Sequence, residues 1–547
     1  MEFESVFTEI SAILVIATIL GILGLLLRQP LIVAFLLAGV LTGPFAFGII
    51  DSHENIELLG HIGISILLFV VGLRLDLHLI RTTGLVALAT GLGQITFTIS
   101  IGLGITLAMG MSFTTAIYVS VAMTFSSTII IVKLLSDKKE IESLHGRIAM
   151  GFLIVQDIAA ILALILLTAL GGEDSGDQNA TWDITLIALK GIGFIAGIGL
   201  LMRFVLPKLT DMMARNQELL LLFAVAWAIF LGALGDYLGF SKEVGAFLGG
   251  VSLASTPYRE AIGARLVGLR DFLLLFFFID LGSRLEFSEV EAQLGKAAVL
   301  SIFVLVGNPI IIMTIMGIMG YRRRTGFLAG LTVAQISEFS LILAALGVSL
   351  GHIDRDTMGL ITLIGVATIF VSTYMILNSG KLYKRLSPAL KIFEKKIPYR
   401  ETETVGTCDL TDIDLILVGL GTYGSNVAED LISRGKKILG VDFDPQVLKT
   451  WESRGVSVMF GDAGDPEFLD QLPLGCSRWF ISMIRDRELN LSILKHLKER
   501  DYDGHLVLSA RNEGDAQAYE NSGVHLVLRP YRHVAERTSH VITDAIG

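Results

Sequence analysis

A chain of 547 residues that is 52% hydrophobic and 18% charged, with a mean hydropathy of +0.67, is too apolar for an ordinary water-soluble protein. Its net charge of −10 counts against nucleic acid as a partner. Two cysteines, Cys408 and Cys476, are too few for a disulfide framework and fit a reducing compartment. The acidic start, Met1-Glu2-Phe3-Glu4, is unlike the basic leader of a cleaved signal peptide.

Apolar stretches predict membrane-spanning helices near 5–27, 31–50, 56–73, 84–109, 113–134, 146–170, 184–206, 217–238, 242–255, 266–282, 297–319, 325–350 and 357–379. Most approach the roughly 20 apolar residues that cross a hydrocarbon core of about 30 Å. The expected fold is a polytopic all-α membrane domain of about 13 transmembrane helices over 1–380. A basic amphipathic linker over 381–410 and a C-terminal α/β Rossmann-like domain over 411–547 follow. Basic connections (Arg28; Arg74 and Arg81; Lys133, Lys138, Lys139 and Arg147; Arg322, Arg323 and Arg324) alternate with acidic or neutral ones such as Gly171–Gln178. The positive-inside rule then puts the N-terminus outside and the C-terminal domain in the cytosol.

The sixth span carries Gln156-Asp157 near its middle. A carboxylate there costs about 2.5–3.5 kcal/mol on insertion scales, so it marks a partner or an ion path. The fifth span holds Thr124, Ser126, Ser127 and Thr128. Their hydroxyls suit an ion's coordination shell or simply bond back to the preceding turn. Glu338, in Gln335-Ile336-Ser337-Glu338 of the twelfth span, is a second intramembrane carboxylate, either on the ion path or holding a helix. Pro44 and Pro309 are expected to interrupt two spans. One carboxylate that holds either a proton or a dehydrated cation couples the two fluxes, and a 1:1 cycle moves no net charge. Asp157 is the expected exchanging group, with Gln156 offering a carbonyl to the cation.

The last part of the chain opens with an apolar strand from Asp414, then Gly419-Leu-Gly421-Thr422-Tyr423-Gly424 and an amphipathic helix. A second strand ends at Asp442, 442 − 424 = 18 positions after the last glycine. That pattern predicts a dinucleotide-type site: glycines for the turn and close approach, a helix N-terminus for phosphate, an acid for ribose. Thr422, Tyr423 and Phe443 join the candidate set, and Asp462, ending a third strand, faces the adenine end. Phe443 stands where a 2′-phosphate binder would have arginine, which disfavours NADP. Arg511 is the basic residue placed to meet a second ligand.

With these motifs in place, the whole chain resembles the Kef-type potassium efflux transporters of the monovalent cation:proton antiporter 2 family, with a C-terminal RCK or TrkA-N nucleotide-binding domain. The resemblance implies an inverted-repeat antiporter fold in a bacterial inner membrane, a homodimer working by alternating access, and a potassium/proton antiporter rather than an enzyme. It implies control by AMP or NAD(H), and an ion path at Asp157, Gln156, Thr124, Ser126 and Ser127. The loop Thr256–Arg265 lacks the acidic signature of glutathione-gated members. That counts against glutathione control and an ancillary quinone reductase partner. Rival readings are a sodium/proton antiporter of the same fold, a nucleotide-gated cation channel, for which no Thr-Val-Gly-Tyr-Gly filter is present, and a membrane-anchored oxidoreductase, for which no substrate domain follows the nucleotide fold.

Overall fold

The computed structural model describes residues 6–546 apart from 45, 51–52, 74–76, 139, 142, 171–189, 191–192, 195, 215, 239, 285–286, 396–403 and 406–412. Arg74, Lys139, the acidic stretch Gly171–Gln178, Cys408 and part of the seventh predicted span lie outside the described residues. The chain forms two compact units. One comprises Met1–Ile315 and Phe327–Arg385, the other Met316–Gly326 and Leu386–Gly547.

The first unit is helical, and three of its helices, α13, α14 and α17, extend into the second: α1 (Val6–Leu26), α2 (Leu31–Thr42), α3 (His53–Leu73), α4 (Leu77–Ala108), α5 (Phe113–Ala122), α6 (Thr128–Asp137), α7 (Leu144–Leu170), α8 (Leu206–Met213), α9 (Gln217–Tyr237), α10 (Lys242–Leu253), α11 (Arg259–Ser283), α12 (Phe287–Ile302), α13 (Asn308–Ile318), α14 (Arg323–Leu331), α15 (Glu338–Ser349), α16 (Arg355–Leu377) and α17 (Ser379–Leu390). Among the described residues seven helices are long and apolar enough to cross a membrane, and Leu31–Thr42, Phe113–Ala122 and Glu338–Ser349 are shorter apolar helices. Small residues let neighbours close in. A methyl group added at Gly250 of α10 would collide with the Phe69 carbonyl of α3.

Two predicted spans are each a pair of helices. The fifth is α5 and α6, and the twelfth is α14 and α15. Proline does not make these interruptions. Each is set by a serine that starts the next helix: Ser127 accepts a hydrogen bond from Ile130 N, and Ser337 from Phe339 N. Such hydroxyl caps compete with helix continuation. The expectation that Pro309 interrupts its span is corrected: Gln293–Ile318 runs as one helix. A π turn at Phe303–Gly307 stands just ahead of Pro309, where the proline supplies no N–H to the i−4 carbonyl, and the widened turn accommodates that loss.

The second unit is a seven-stranded sheet of order β1-β4-β3-β2-β5-β6-β7, with β1 Thr404–Val405, β2 Leu415–Val418, β3 Ile438–Asp442, β4 Ser457–Phe460, β5 Trp479–Ser482, β6 His505–Ser509 and β7 Leu526–Leu528. The pairs from β4 to β7 are parallel, while β1 pairs with β4 antiparallel. The six parallel strands have the order of doubly wound dinucleotide folds. Helices α18 (Thr422–Ser433), α19 (Pro445–Ser453), α20 (Pro466–Leu469), α21 (Arg487–Glu499), α22 (Glu513–Asn521) and α23 (Pro530–Ile546) complete it. Alternate strand residues feed two cores, one around Ile416, Leu439 and Phe480, the other around Leu417, Trp451 and Val458. The expected helical membrane domain with an α/β Rossmann-like domain is the observed architecture.

Candidate functional site

The two helix interruptions lie side by side. Ser340, in the first turn of α15, donates to the Ala122 carbonyl that ends α5, at 2.5 Å. Asn308 is fully buried and serves both breaks. Its amide donates to Met123 O at 3.0 Å and Val333 O at 3.4 Å, and its Oδ1 accepts from Thr98 Oγ1 at 3.0 Å. The C-terminal ends of α5 and α14 leave carbonyls without intrahelical donors, and one neutral amide supplies them.

Asp157 sits at the opposite pole of the first break. Thr128, the first residue of α6, donates to its Oδ2 at 3.0 Å and Oδ1 at 3.2 Å. The carboxylate therefore faces the positive end of the α6 dipole. It is half-buried, and among the described residues no Lys, Arg or His pairs with it.

Gln156, fully buried, bonds at both ends. Its Oε1 accepts from Ser126 N at 3.1 Å, and its Nε2 donates to Gln94 Oε1 at 2.7 Å. Gln94 in turn donates to Thr98 Oγ1 at 3.0 Å and Thr124 O at 3.2 Å. A hydrogen-bonded chain thus runs from Gln156 to Asn308. Among the described residues the buried Ser126 hydroxyl has no hydrogen-bond partner, an oxygen two residues from Thr128. Thr124 bonds back to Ser120 O at 2.9 Å, and Ser127 is the cap of α6. Gln94, Thr98 and Asn308 are absent from the predicted site, and Thr128 enters it only as one hydroxyl of the fifth span, not as the partner of Asp157. Their signal in the sequence is an amide or hydroxyl within an apolar span, which must find a partner there.

Glu338 begins α15 and is 4% exposed. Ser337 Oγ donates to its Oε2 at 3.4 Å, and it lies within electrostatic reach of Asp157. It lines a cavity of about 670 Å³ with Arg28, Lys133, Lys138 and Asp271. A second cavity, of about 570 Å³, is lined by Glu57, His61, Asp236, Asp280 and Arg284, and by the C-terminal turn of α15. The two cavities therefore lie at opposite ends of α15, each a vestibule with charged residues in its lining. In the second vestibule Arg284 bonds Glu57 at 2.8 Å and Asp280 at 3.0 Å.

In the second unit Gly419 leaves β2 with φ of +89°, a conformation that favours glycine. A side chain at Gly424 would collide with the Gly419 carbonyl. Helix α18 starts at Thr422 with Gly421 as its cap, so its first N–H groups point out of the helix end. Asp442 ends β3 with Oδ2 accepting from Leu420 N at 2.7 Å and Oδ1 from Asp444 N at 2.9 Å. Burial outweighs these bonds and holds its carboxyl above the ordinary carboxylate range. Asp462, also buried, accepts from Gly464 N at 2.8 Å, and Gly461 N donates to Asp442 O at 3.1 Å. Gly419, Gly421, Thr422, Gly424, Asp442 and Asp462 thus gather at the carboxyl edge of the sheet, where β2 lies between β3 and β5, the switch point at which nucleotides bind. Tyr423, in the first turn of α18, packs on the core, Phe443 follows Asp442 half-buried, and Arg511 is exposed.

A family model described as sodium/hydrogen exchanger, transmembrane, matches residues 11–377. One described as TrkA-N domain matches residues 415–530. The chain is 27% identical over 538 residues to YbaL of Escherichia coli strain K12, described provisionally as a cation/proton antiporter, covering 96% of this chain and 95% of that one. It is 26% identical over 524 residues to the glutathione-regulated potassium-efflux system protein KefC of Cronobacter sakazakii, covering 94% of this chain and 81% of that one. The structure of the sodium proton antiporter MjNhaP1 from Methanocaldococcus jannaschii aligns over 72% of this chain and 98% of its own, at 18% identity and a TM-score of 0.48.

Proposed function

Because the chain belongs to the sodium/hydrogen exchanger transmembrane family and carries a TrkA-N domain, it is a membrane cation/proton antiporter and not an enzyme, and we propose that it exchanges cytosolic K+ for H+ at Asp157. The carrying observation is that Asp157 is half-buried at a helix break, bonded to the Thr128 hydroxyl and, among the described residues, paired with no Lys, Arg or His. A carboxylate held in this way accepts either a proton or a cation, and competition for it couples the fluxes. The open Ser126 hydroxyl supplies a further oxygen. Gln156 acts chiefly by fixing the Ser126 backbone, and Thr124 and Ser127 shape the break.

Potassium as the cargo is supported by the potassium-efflux relative of nearly full coverage; sodium is the alternative that the family's own description raises. The test is purified protein in pH-loaded vesicles with K+ or Na+ outside. Proton movement driven by K+ is expected, and it disappears in Asp157→Asn. K+-driven exchange surviving in that variant would reject the assignment, and exchange with Na+ alone would reject the cargo.

The TrkA-N unit, in this reading, binds AMP or NAD(H) at Gly419, Gly421, Thr422, Gly424, Asp442 and Asp462. The glycine turn and the free N–H groups of α18 support it. Thermal-shift titration of wild type and Asp442→Ala tests it, and no shift in wild type with either ligand refutes it. The alternating basic connections support a cytosolic C-terminus in a bacterial inner membrane, which a C-terminal reporter fusion checks. A homodimer is supported by α23: every residue from Tyr531 to Ile546 is exposed, including Val534, Val541 and Ile542, an apolar stripe that a lone helix leaves wet. Light scattering should show a dimer that Val541→Asp weakens.

A further inference from the structure

The cavity of about 670 Å³ in the first unit has two kinds of wall. Its charged lining includes Arg28, which follows the end of α1, and Lys133, Asp137 and Lys138 in the second half of α6 and its cap. Phe35, Leu274 and Phe278 give it an apolar side. Leu25, Leu31 and Ile129 also line it and are exposed. In a membrane domain an exposed apolar side chain meets acyl chains, which are as apolar as leucine, so this side of the cavity borders lipid.

Two of the charges in this lining are already paired: Asp271 with Arg270 at 2.7 Å, and Lys138 with Glu140 at 2.7 Å. Among the described residues Arg28 and Lys133 have no carboxylate partner, and Asp137 and Glu338 have no basic one. Cations and carboxylates left over in equal number complement a ligand that carries both signs of charge. Gln29 adds a hydrogen-bond acceptor. It lines the cavity and is 6% exposed; its Nε2 donates to Phe370 O at 3.4 Å, while its Oε1 has no partner among the described residues. A buried acceptor without a donor is costly, and a ligand N–H would satisfy it. The connection that presents these groups is held in place. Tyr374 Oη donates to Leu27 O at 3.0 Å, and Arg28 has φ of +55°, a left-handed conformation that is uncommon outside glycine and recurs at ligand clamps.

We propose that this cavity binds a membrane phospholipid with a primary ammonium headgroup, phosphatidylethanolamine. The phosphate meets Arg28 and Lys133, the ammonium donates to Gln29 Oε1 and Asp137, and an acyl chain lies along Leu25, Leu31 and Phe35. Hydrogen bonds in which a partner is ionised are the stronger kind, and cations at the end of a span stand at the level of lipid headgroups. Ile129 and Ile130, on the same lining, directly follow Thr128, which holds Asp157. The bound lipid therefore abuts the first turn of α6. The site depends neither on which cation is carried nor on the nucleotide reading.

The test is native mass spectrometry of the delipidated full chain in detergent, with phosphatidylethanolamine, phosphatidylcholine and phosphatidylglycerol added at equal concentration. Phosphatidylcholine keeps both charges but has no N–H. Phosphatidylglycerol keeps the phosphate and lacks the cation. Phosphatidylethanolamine should be retained roughly tenfold better than either, the factor that one hydrogen bond to a charged group supplies. Gln29→Leu should abolish the preference over phosphatidylcholine, and Lys133→Gln should weaken retention of phosphatidylethanolamine by about tenfold. Arg28→Gly should weaken it likewise, and glycine suits the left-handed backbone there, so this variant serves if Gln29→Leu does not fold. Glycerophosphoethanolamine, the headgroup without chains, should not displace the lipid. Equal retention of the three lipids overturns the proposal, as does a preference for phosphatidylglycerol or a preference for phosphatidylethanolamine that survives in Arg28→Gly and Lys133→Gln. Displacement by the chainless headgroup overturns the membrane lipid as occupant.

Discussion

Thr128 gives its hydroxyl hydrogen to the carboxylate of Asp157, 3.0 Å from one oxygen and 3.2 Å from the other. The bond crosses from α6 to α7 and aims the carboxylate at the start of a half-helix, leaving most of its lone pairs open. A hydrogen bond to a charged group contributes about 1.5–3 kcal/mol. Thr128→Val keeps the shape and removes the donor. It should raise the apparent KM for the transported cation roughly 10-fold, given that about 1.4 kcal/mol is a factor of ten, with the protein still folded. Cation-titrated flux in vesicles measures it, and an unchanged KM would show that the hydroxyl does not orient the ion site.

Asn308 serves two helix breaks with one side chain, so its loss should be felt in both. Asn308→Ala leaves Met123 O, Val333 O and the Thr98 hydroxyl without their partner in a buried setting. Each unsatisfied group costs about 1–3 kcal/mol. The expected outcome is a lower melting temperature in detergent and flux reduced at least about tenfold, since 1.4 kcal/mol is a factor of ten. Gln94→Ala, further along the same chain, should show a smaller loss. Equal, wild-type melting of both variants would remove Asn308 from the site.

Asp442 gives a pH signature to the TrkA-N unit. Burial holds its carboxyl above the ordinary range, so the native, ligand-free state binds that proton more tightly than the unfolded chain does. Stability from this group is therefore present at low pH and lost as pH rises through the raised value. Nucleotide binding runs the other way, because the ionised carboxylate accepts the ribose hydroxyls. The ligand-induced thermal shift should grow as pH rises through the raised carboxyl value in wild type and stay flat in Asp442→Asn. A shift that shrinks with rising pH would contradict the ribose role.

The two-part architecture was legible in the sequence alone, and so were candidate residues for both centres. Twenty-residue apolar runs and a glycine turn followed by an acid are local patterns, and local patterns survive in one dimension. Asp157 was legible because a lone carboxylate in hydrocarbon is costly wherever the helix around it ends up. The interruptions at Ser127 and Ser337 were not legible as breaks, since hydropathy runs straight across them and no proline marks them. Only the tertiary structure decided that Asn308 stands between two chain segments 185 and 25 positions away, that Thr128 faces Asp157, and that Arg28 and Lys133 line one cavity. Those partners meet by packing, and a hydrogen bond between residues far apart in the chain leaves no periodic trace in the order of the amino acids.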